Sequence, residues 1–101
     1  MLEILCIDHC EVTDSIARNI FHNMPNTKLQ FLNISWNHIS GKSIKDFVKV
    51  VELNQGLEKL AMQHNRFGEG DLTKFARVIS KHKSLTYLDI SANQIENHNF
   101  V

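Results

Sequence analysis

Six histidines and two cysteines are the side chains of this 101-residue chain that could hold a metal ion or attack a substrate. His9 and His64 occupy matching positions in two similar stretches of sequence, and Trp36 occupies the matching position between them. If each stretch is a strand of a parallel sheet, the two histidines lie about 10 Å apart. Zinc needs ligand nitrogens about 2.0–2.1 Å from the ion. We therefore expect no metal site and no cofactor.

Cys6 is the residue that could act as a nucleophile, with His9 or His38 as its base. A catalytic thiol needs its base within hydrogen-bond reach. His9 follows three residues along the predicted strand, about 10 Å away and on the other side of the pleat. The Gly68–Gly70 segment lacks the remaining glycine and the lysine of a phosphate-binding loop. The sequence therefore predicts no catalytic residue and no enzyme activity.

Positive charge is concentrated on one predicted helix, at Lys74, Arg77, Lys81 and Lys83. The whole chain carries 11 basic and 11 acidic residues, so no net charge attracts nucleic acid or an anionic membrane. The basic run lacks the stacked aromatic residues that nucleic-acid platforms require. No apolar stretch approaches the roughly 18 residues of a membrane helix, and the N-terminal residues lack the basic region and apolar run of a secretory signal. We therefore expect that the partner is not nucleic acid, not a membrane and not a small-molecule substrate.

Four stretches share one pattern of apolar and small residues, and they begin at Leu2, Leu29, Leu57 and Leu85. The steps between them are 27, 28 and 28 residues. Each stretch has leucine at its first and fourth positions and an aliphatic residue or methionine at its sixth. The ninth position is asparagine or cysteine, and the eleventh is apolar. A fixed period of this length predicts a repeat architecture.

The segments between these stretches predict helices, which parallel strands need as crossover connections. Apolar residues recur there at helical spacing. They are Ile16, Ile20 and Met24 in the first segment, Ile44, Phe47, Val48 and Val51 in the second, and Leu72, Phe75, Ala76, Val78 and Ile79 in the third. Ser43 followed by Asp46 predicts a capping box at the second helix. Gly41, Gly68 and Gly70 are expected to supply an unrestricted backbone in the loops.

The repeated pattern resembles the leucine-rich repeat, L-x-x-L-x-L-x-x-N/C-x-L, over essentially the whole chain. A period near 28 with helical segments is similar to the ribonuclease-inhibitor-like subclass, whose members are mostly intracellular. The resemblance implies a right-handed α/β solenoid curved into a horseshoe, with parallel strands on the concave face and helices on the convex face. The repeats would span residues 2–28, 29–56, 57–84 and 85–101, the last being incomplete.

The two ends of the chain indicate a fragment of a longer array. Phe100 stands five residues after the last marker, Ile95, as Ile44 and Leu72 do in the earlier repeats. We interpret Phe100 as the first inward residue of a helix that the chain does not complete. Leu2 begins a repeat without the polar cap that terminal repeats normally carry.

The resemblance also implies a structural ladder at the ninth position, where the side chain turns inward to bond the backbone of the loop. The ladder residues are Cys10, Asn37, Asn65 and Asn93. Cys6 would lie on the opposite, concave face, so Cys6 and Cys10 are not expected to form a disulfide. Reduced thiols favour the cytoplasm or the nucleus.

Variable positions of each strand would lie on the concave face, where aromatic and charged residues cluster. Exposed Trp, Tyr, Phe and Arg are enriched at interface hot spots. The expected protein-binding residues are Phe31, Trp36, Lys59, His64, Arg66, Tyr87 and Asp89. We therefore expect a non-enzymatic interaction module that binds a protein on its concave face.

Two other functions remain open at this stage. Activators of the Ran GTPase carry repeats of this type, and Arg66 would be the candidate residue for ordering such a partner's site. The chain could instead be a structural segment of an intracellular sensor, cytoskeletal or bacterial effector protein. In that case the surface aromatics would need no function, because scattered exposed apolar residues are ordinary.

Overall fold

The computed structural model describes residues 3–24 and 28–93. Within these residues, four strands alternate with three α-helices: β1 (Ile4–Cys6), α1 (Asp14–His22), β2 (Phe31–Asn33), α2 (Ile44–Leu53), β3 (Lys59–Ala61), α3 (Glu69–Ile79) and β4 (Tyr87–Asp89). A 3₁₀ turn at Gly41–Ser43 leads directly into α2. The predicted α/β architecture is confirmed. The interpretations of Leu2, Ile95 and Phe100 concern residues outside the described ranges.

The strands form one parallel sheet in the order β1-β2-β3-β4, and their register follows the repeat spacing. Three rows of residues run across the sheet: Ile4, Phe31, Lys59 and Tyr87; then Leu5, Leu32, Leu60 and Leu88; then Cys6, Asn33, Ala61 and Asp89. Because successive side chains of a strand point to opposite faces, the leucine row faces the helices. The other two rows form the surface that we call the strand face.

The core lies between the sheet and the helices. Phe47 of α2 is fully buried, and its ring contacts Phe21 of α1 and Phe75 of α3, with centroids 5.3 and 5.4 Å away. Phe67, in the loop before α3, packs on the same ring at 5.9 Å. Full burial of a phenylalanine contributes up to about 3 kcal/mol relative to exposure. This cluster therefore joins all three helices of the described part.

Two of the predicted inward residues are wrong. Ile16 in α1 is 49 % exposed, whereas Ala17 and Phe21 are buried. In α3, Ala76 is exposed while its neighbour Phe75 is buried. Adjacent residues of an α-helix are about 100° apart around its axis, so a helix cannot bury both members of such a pair equally. Packing against Phe47 selects the phenylalanine face in both helices.

Asp14 ties the start of α1 to the next repeat. Its Oδ1 accepts hydrogen bonds from the Ser40 N–H at 2.9 Å and the Ser43 hydroxyl at 2.6 Å, and its Oδ2 accepts from the Ser40 hydroxyl at 2.6 Å. Partial burial raises the pKa of Asp14, but these hydrogen bonds outweigh it and the net pKa lies below the ordinary value. The expected capping box is wrong, because the Ser43 hydroxyl serves Asp14 and makes no side-chain cap on α2.

The glycines have a different role from the one expected. None of the four, all of which are described, has a positive φ. Gly41 is instead a point of close approach between repeats, since a Cβ there would overlap the carboxylate of Asp71. Asp71 accepts a hydrogen bond from the Gly68 N–H at the start of α3, which holds the carboxylate in place.

Asn37, Asn65 and Asn93 each join two successive repeats through their side chains. Oδ1 of Asn65 accepts from the Ile39 N–H at 3.1 Å, and its Nδ2 donates to the Ile34 carbonyl at 2.8 Å. The same pattern links Asn37 to the first repeat and Asn93 to the third. Asn37 and Asn65 are buried and Asn93 is half-buried. The loop after each of β2, β3 and β4 is therefore fastened to its predecessor.

The inward orientation predicted for Cys10 is wrong. Its side chain is exposed and the Sγ donates to the Asp8 carbonyl at 3.3 Å, within its own loop. The asparagines are covered by the loop of a preceding repeat, and no such loop lies before Cys10 in the described part of the chain. Cys6 is exposed as well, and both thiols are free.

We expect Asn65→Leu to lower the free energy of unfolding although leucine is more apolar. The change leaves the Ile39 N–H and the Ile34 carbonyl without their partner, at about 1–3 kcal/mol each. Urea unfolding followed by circular dichroism measures the loss. Asn93→Leu is the matched control and should cost less, because Asn93 is only half-buried. Equal stability of Asn65→Leu and the unmodified chain would contradict the ladder.

We expect Asp14→Asn to lower the free energy of unfolding by about 1–2 kcal/mol at pH 7, since hydrogen bonds to a charged acceptor are the stronger kind. The folded pKa of Asp14 is lowered, so its contribution is present above the ordinary aspartate pKa of about 3.9 and is lost as pH falls further. Urea unfolding of both proteins as a function of pH measures this. A difference that stays constant into the acid range would contradict the assignment. Ser43→Ala should be non-additive with Asp14→Asn.

Candidate functional site

The outermost row of the strand face carries large side chains that are open to solvent. Tyr87 is 49 % exposed and Ile4 is 60 % exposed. Lys59 is exposed between Phe31 and Tyr87, and Phe31 is half-buried. Three of the expected protein-binding residues thus stand side by side on successive strands.

Between Phe31 and Tyr87 the strand face has a depression of about 290 Å³, which we call the Ala61 cleft. Ala61 is small, whereas the same row has Asn33 on β2 and Asp89 on β4. The cleft is the space left by that missing side-chain volume. It is lined by Phe31, Asn33, Lys59, Ala61, Gln63 and Tyr87.

The polar residues on either side of Ala61 are held by identical contacts. Oδ1 of Asn33 accepts from the N–H and hydroxyl of Ser35, at 3.0 and 2.6 Å. Oδ1 of Asp89 accepts in the same way from Ser91, at 2.9 and 2.6 Å. The hydrogen bonds from Ser91 lower the pKa of Asp89, with a smaller contribution from the charge of His64. Both side chains are therefore fixed before any partner arrives.

Gln63 stands where the neighbouring repeats have these serines, and sequence reasoning did not select it. Its Oε1 is buried and has no hydrogen-bond partner within the described residues. A buried polar atom without a partner costs about 1–3 kcal/mol. The sequence signal was the change from serine to glutamine beside Ala61, but the missing bond could be read only from the structure. A donor bound in the cleft gains a hydrogen bond to Oε1 only if the Gln63 side chain rotates and exposes this buried atom.

Three rings stack along the edge of the sheet where the strands end. Trp36 lies between His9, at 5.2 Å and 15° between ring planes, and His64, at 3.6 Å and 14°. Trp36 is 48 % exposed, but imidazoles cover both of its faces. Trp36 can therefore contact a partner through the edge of its indole but not through a ring face.

An unusual backbone conformation positions the stack. His9, Trp36 and His64 have φ of 55°, 58° and 56°, and Ala92 at the same position of the fourth repeat has φ of 54°. Few non-glycine residues adopt this left-handed region. The backbone N–H groups of His9, Trp36 and His64 each donate to a carbonyl of the next repeat, at 3.2, 3.0 and 3.0 Å. These bonds between repeats hold the conformation.

Arg66 is exposed near the same edge, and its Nη2 lies 3.2 Å from His38 Nδ1. Since a guanidinium can only donate, His38 Nδ1 is the acceptor. Arg66, Trp36, His64 and Ala92 line an open depression of about 430 Å³, together with His38 and the ladder asparagines. We call this depression the rim pocket.

Six of the seven expected protein-binding residues line one of two depressions. Phe31, Lys59 and Tyr87 line the Ala61 cleft, and Asp89 shares the row of Ala61. Trp36, His64 and Arg66 line the rim pocket. Their role in binding stays a prediction.

Residues 3–24 and 28–93 hold no group of three or more histidine, cysteine or acidic side chains arranged to bind a metal ion. No helix in those ranges is long and apolar enough to cross a membrane.

Comparisons with known proteins agree with this architecture. A family model described as Leucine Rich repeat matches residues 26–48 and 81–97. The chain is 28 % identical over 97 residues to the Mus musculus protein "NACHT, LRR and PYD domains-containing protein 14", a match that covers 94 % of this chain and 10 % of that protein. The chain therefore spans about a tenth of the length of this relative.

A solved structure shares the fold. "Leiomodin-1 Actin-Binding Site 2" superposes with a TM-score of 0.80 at 10 % identity, covering 89 % of this chain and 53 % of that one. At this identity the likeness concerns the fold alone. The repeated sequence pattern, the alternating strands and helices, and the family match lead to one conclusion. The chain carries leucine-rich repeat sequence at residues 26–48 and 81–97, and it is similar in sequence and fold to proteins that contain such repeats.

Proposed function

We propose that the chain is a non-enzymatic interaction module that holds a protein partner against its strand face, the concave face of the solenoid. The observation that carries this proposal is the Ala61 cleft, a preformed depression with aromatic walls, a lysine and an unsatisfied buried acceptor. Interface hot spots are desolvated pockets of this kind, enriched in aromatic side chains.

The chemistry of the cleft favours a partner side chain with an apolar body and a hydrogen-bond donor. Phe31 and Tyr87 offer ring surface on two sides, and Ala61 leaves room between them. Rotation of the Gln63 side chain would bring its buried Oε1, which has no partner among the described residues, to a donor placed beside Ala61. Because Ser35 already fixes Asn33, binding requires little ordering of this part of the cleft wall.

The fold and the cysteines support the rest of the proposal. The leiomodin-1 segment of the same fold is, by its name, an actin-binding site, so such a fold can serve a protein partner. That likeness does not identify the partner of this chain. Cys6 and Cys10 are both free, which favours a reducing compartment such as the cytoplasm or nucleus.

We expect Phe31→Ala and Tyr87→Ala each to weaken partner binding about thirtyfold, because truncating a hot-spot anchor costs about 2 kcal/mol or more. The partner is captured from a lysate of the source cells and then titrated with each variant by calorimetry. Lys45→Glu with Lys49→Glu, on the exposed side of α2, is the control and should change the affinity little. Loss of binding in the α2 variant, with both aromatic variants unaffected, would overturn the proposal.

Gln63→Met separates binding from folding at the cleft. Methionine keeps the length of the side chain and removes the unpaired acceptor, so we expect the free energy of unfolding to stay equal or rise. Affinity for the same partner should fall about tenfold, because the donor of the partner then loses its acceptor. Calorimetry and urea unfolding measure the two effects. Undiminished affinity would show that no donor of the partner reaches Gln63.

A further inference from the structure

The row of stacked rings stops at the fourth repeat. His9, Trp36 and His64 each place a ring at the eighth position of their repeat, and one face of His64 lies on Trp36. The fourth repeat has Ala92 at this position, with the same left-handed backbone. No ring of the described residues therefore covers the other face of His64, and the rim pocket adjoins His64 and Ala92. A planar group bound there would continue the stack.

The charge of the rim pocket indicates what accompanies that planar group. Arg66 is the charged residue among the described side chains that line it, and no lining residue is acidic. The contact with His38 Nδ1 uses one guanidinium N–H and leaves others to donate. Asp89 has a lowered pKa and is therefore charged at neutral pH, but it does not line the pocket. The pocket thus favours an anionic group.

We propose that the rim pocket binds an aromatic side chain flanked by carboxylates, on an acidic segment of the protein partner. The ring stacks on His64 above Ala92, and a neighbouring carboxylate pairs with the Arg66 guanidinium. This inference rests on the proposed function, to which it adds the chemistry of the partner at one edge of the strand face. Aromatic rings favour offset-stacked contacts, and a guanidinium forms strong charge-assisted hydrogen bonds with a carboxylate.

The chain itself offers the blocking variant. Ala92→His places a fourth imidazole in the row, where it would occupy the position proposed for the partner's ring. Histidine adopts this backbone at two equivalent positions, with φ of 55° at His9 and 56° at His64, so the change should not unfold the chain. Ala92→Asn is the matched control, because asparagine also tolerates the left-handed region but brings no ring.

The probe is a pentapeptide amide with phenylalanine between two glutamates, titrated into the 101-residue chain. Trp36 is the single tryptophan, so its emission reports on the stack, and amide chemical shifts of His64, Arg66 and Ala92 locate the binding. We expect Ala92→His to weaken binding about fivefold or more, as one lost ring pair predicts. Arg66→Gln should weaken it about tenfold. Ala92→Asn adds bulk to the pocket without a ring, so it should weaken binding less than Ala92→His does, and thermal unfolding confirms that all variants are folded.

Two control peptides test the chemistry of the occupant, one with alanine in place of phenylalanine and one with lysines in place of the glutamates. Both should bind more weakly than the parent peptide. Equal binding of the lysine peptide, unchanged binding by Ala92→His, or no binding of the parent peptide in the millimolar range would overturn the inference. If the peptide tests fail while Phe31→Ala still weakens binding of the protein partner, the proposed function stands. Peptide binding by the chain, together with loss of the partner in the α2 variant and full partner binding in Phe31→Ala and Tyr87→Ala, would reject the proposed function alone.

Discussion

The loop that follows each strand must have its backbone hydrogen bonds satisfied inside the molecule, and the rest of the structure depends on this constraint. An asparagine side chain carries both an acceptor and a donor, so one residue can serve an N–H and a carbonyl at once. Asn65 uses the two ends in this way, with Oδ1 on the Ile39 N–H and Nδ2 on the Ile34 carbonyl. Because these partners belong to the preceding repeat, satisfying one loop also fixes the stacking of two repeats. The parallel register of the strands follows from that stacking.

The helices are fixed by a second set of contacts on the opposite side of the sheet. Phe47 brings α1, α2 and α3 together through its ring, and Asp14 fastens the start of α1 to the 3₁₀ turn of the next repeat. Gly41 allows the carboxylate of Asp71 to approach this turn from the third repeat. Polar contacts between repeats therefore occur on both sides of the apolar core. The side chains of the strand face take no part in these contacts.

The parts predictable from the sequence were those that depend on residue type at a fixed period. The strand positions, the row containing Phe31, Lys59 and Tyr87, and the asparagine positions all follow from the spacing of about 28 residues. Ile16 was mispredicted as an inward residue of α1, because Ile16 and Phe21 are both apolar and the choice between them depends on packing against Phe47 of the next repeat. Cys10 was mispredicted because its exposure depends on which repeats surround it, and not on its own type.

The two depressions could not be predicted from the sequence, for similar reasons. The unpaired acceptor of Gln63 results from its neighbours, since the serines beside it already serve Asn33 and Asp89. The stack required a left-handed backbone at Trp36, which residue type does not indicate because the residue is neither glycine nor asparagine. In both cases the deciding contacts join residues that are roughly one repeat apart.

The ring stack has a mechanical consequence for the solenoid. His9, Trp36 and His64 are carried by three successive repeats, so any flexing that spreads the loop edge of the sheet must pull the rings apart. Each separated pair forfeits about 0.5–1.5 kcal/mol of stacking. The stack therefore stiffens the first three repeats against opening in that direction. Between the third and fourth repeats, Ala92 offers no ring, so no stacking contact resists opening at this edge.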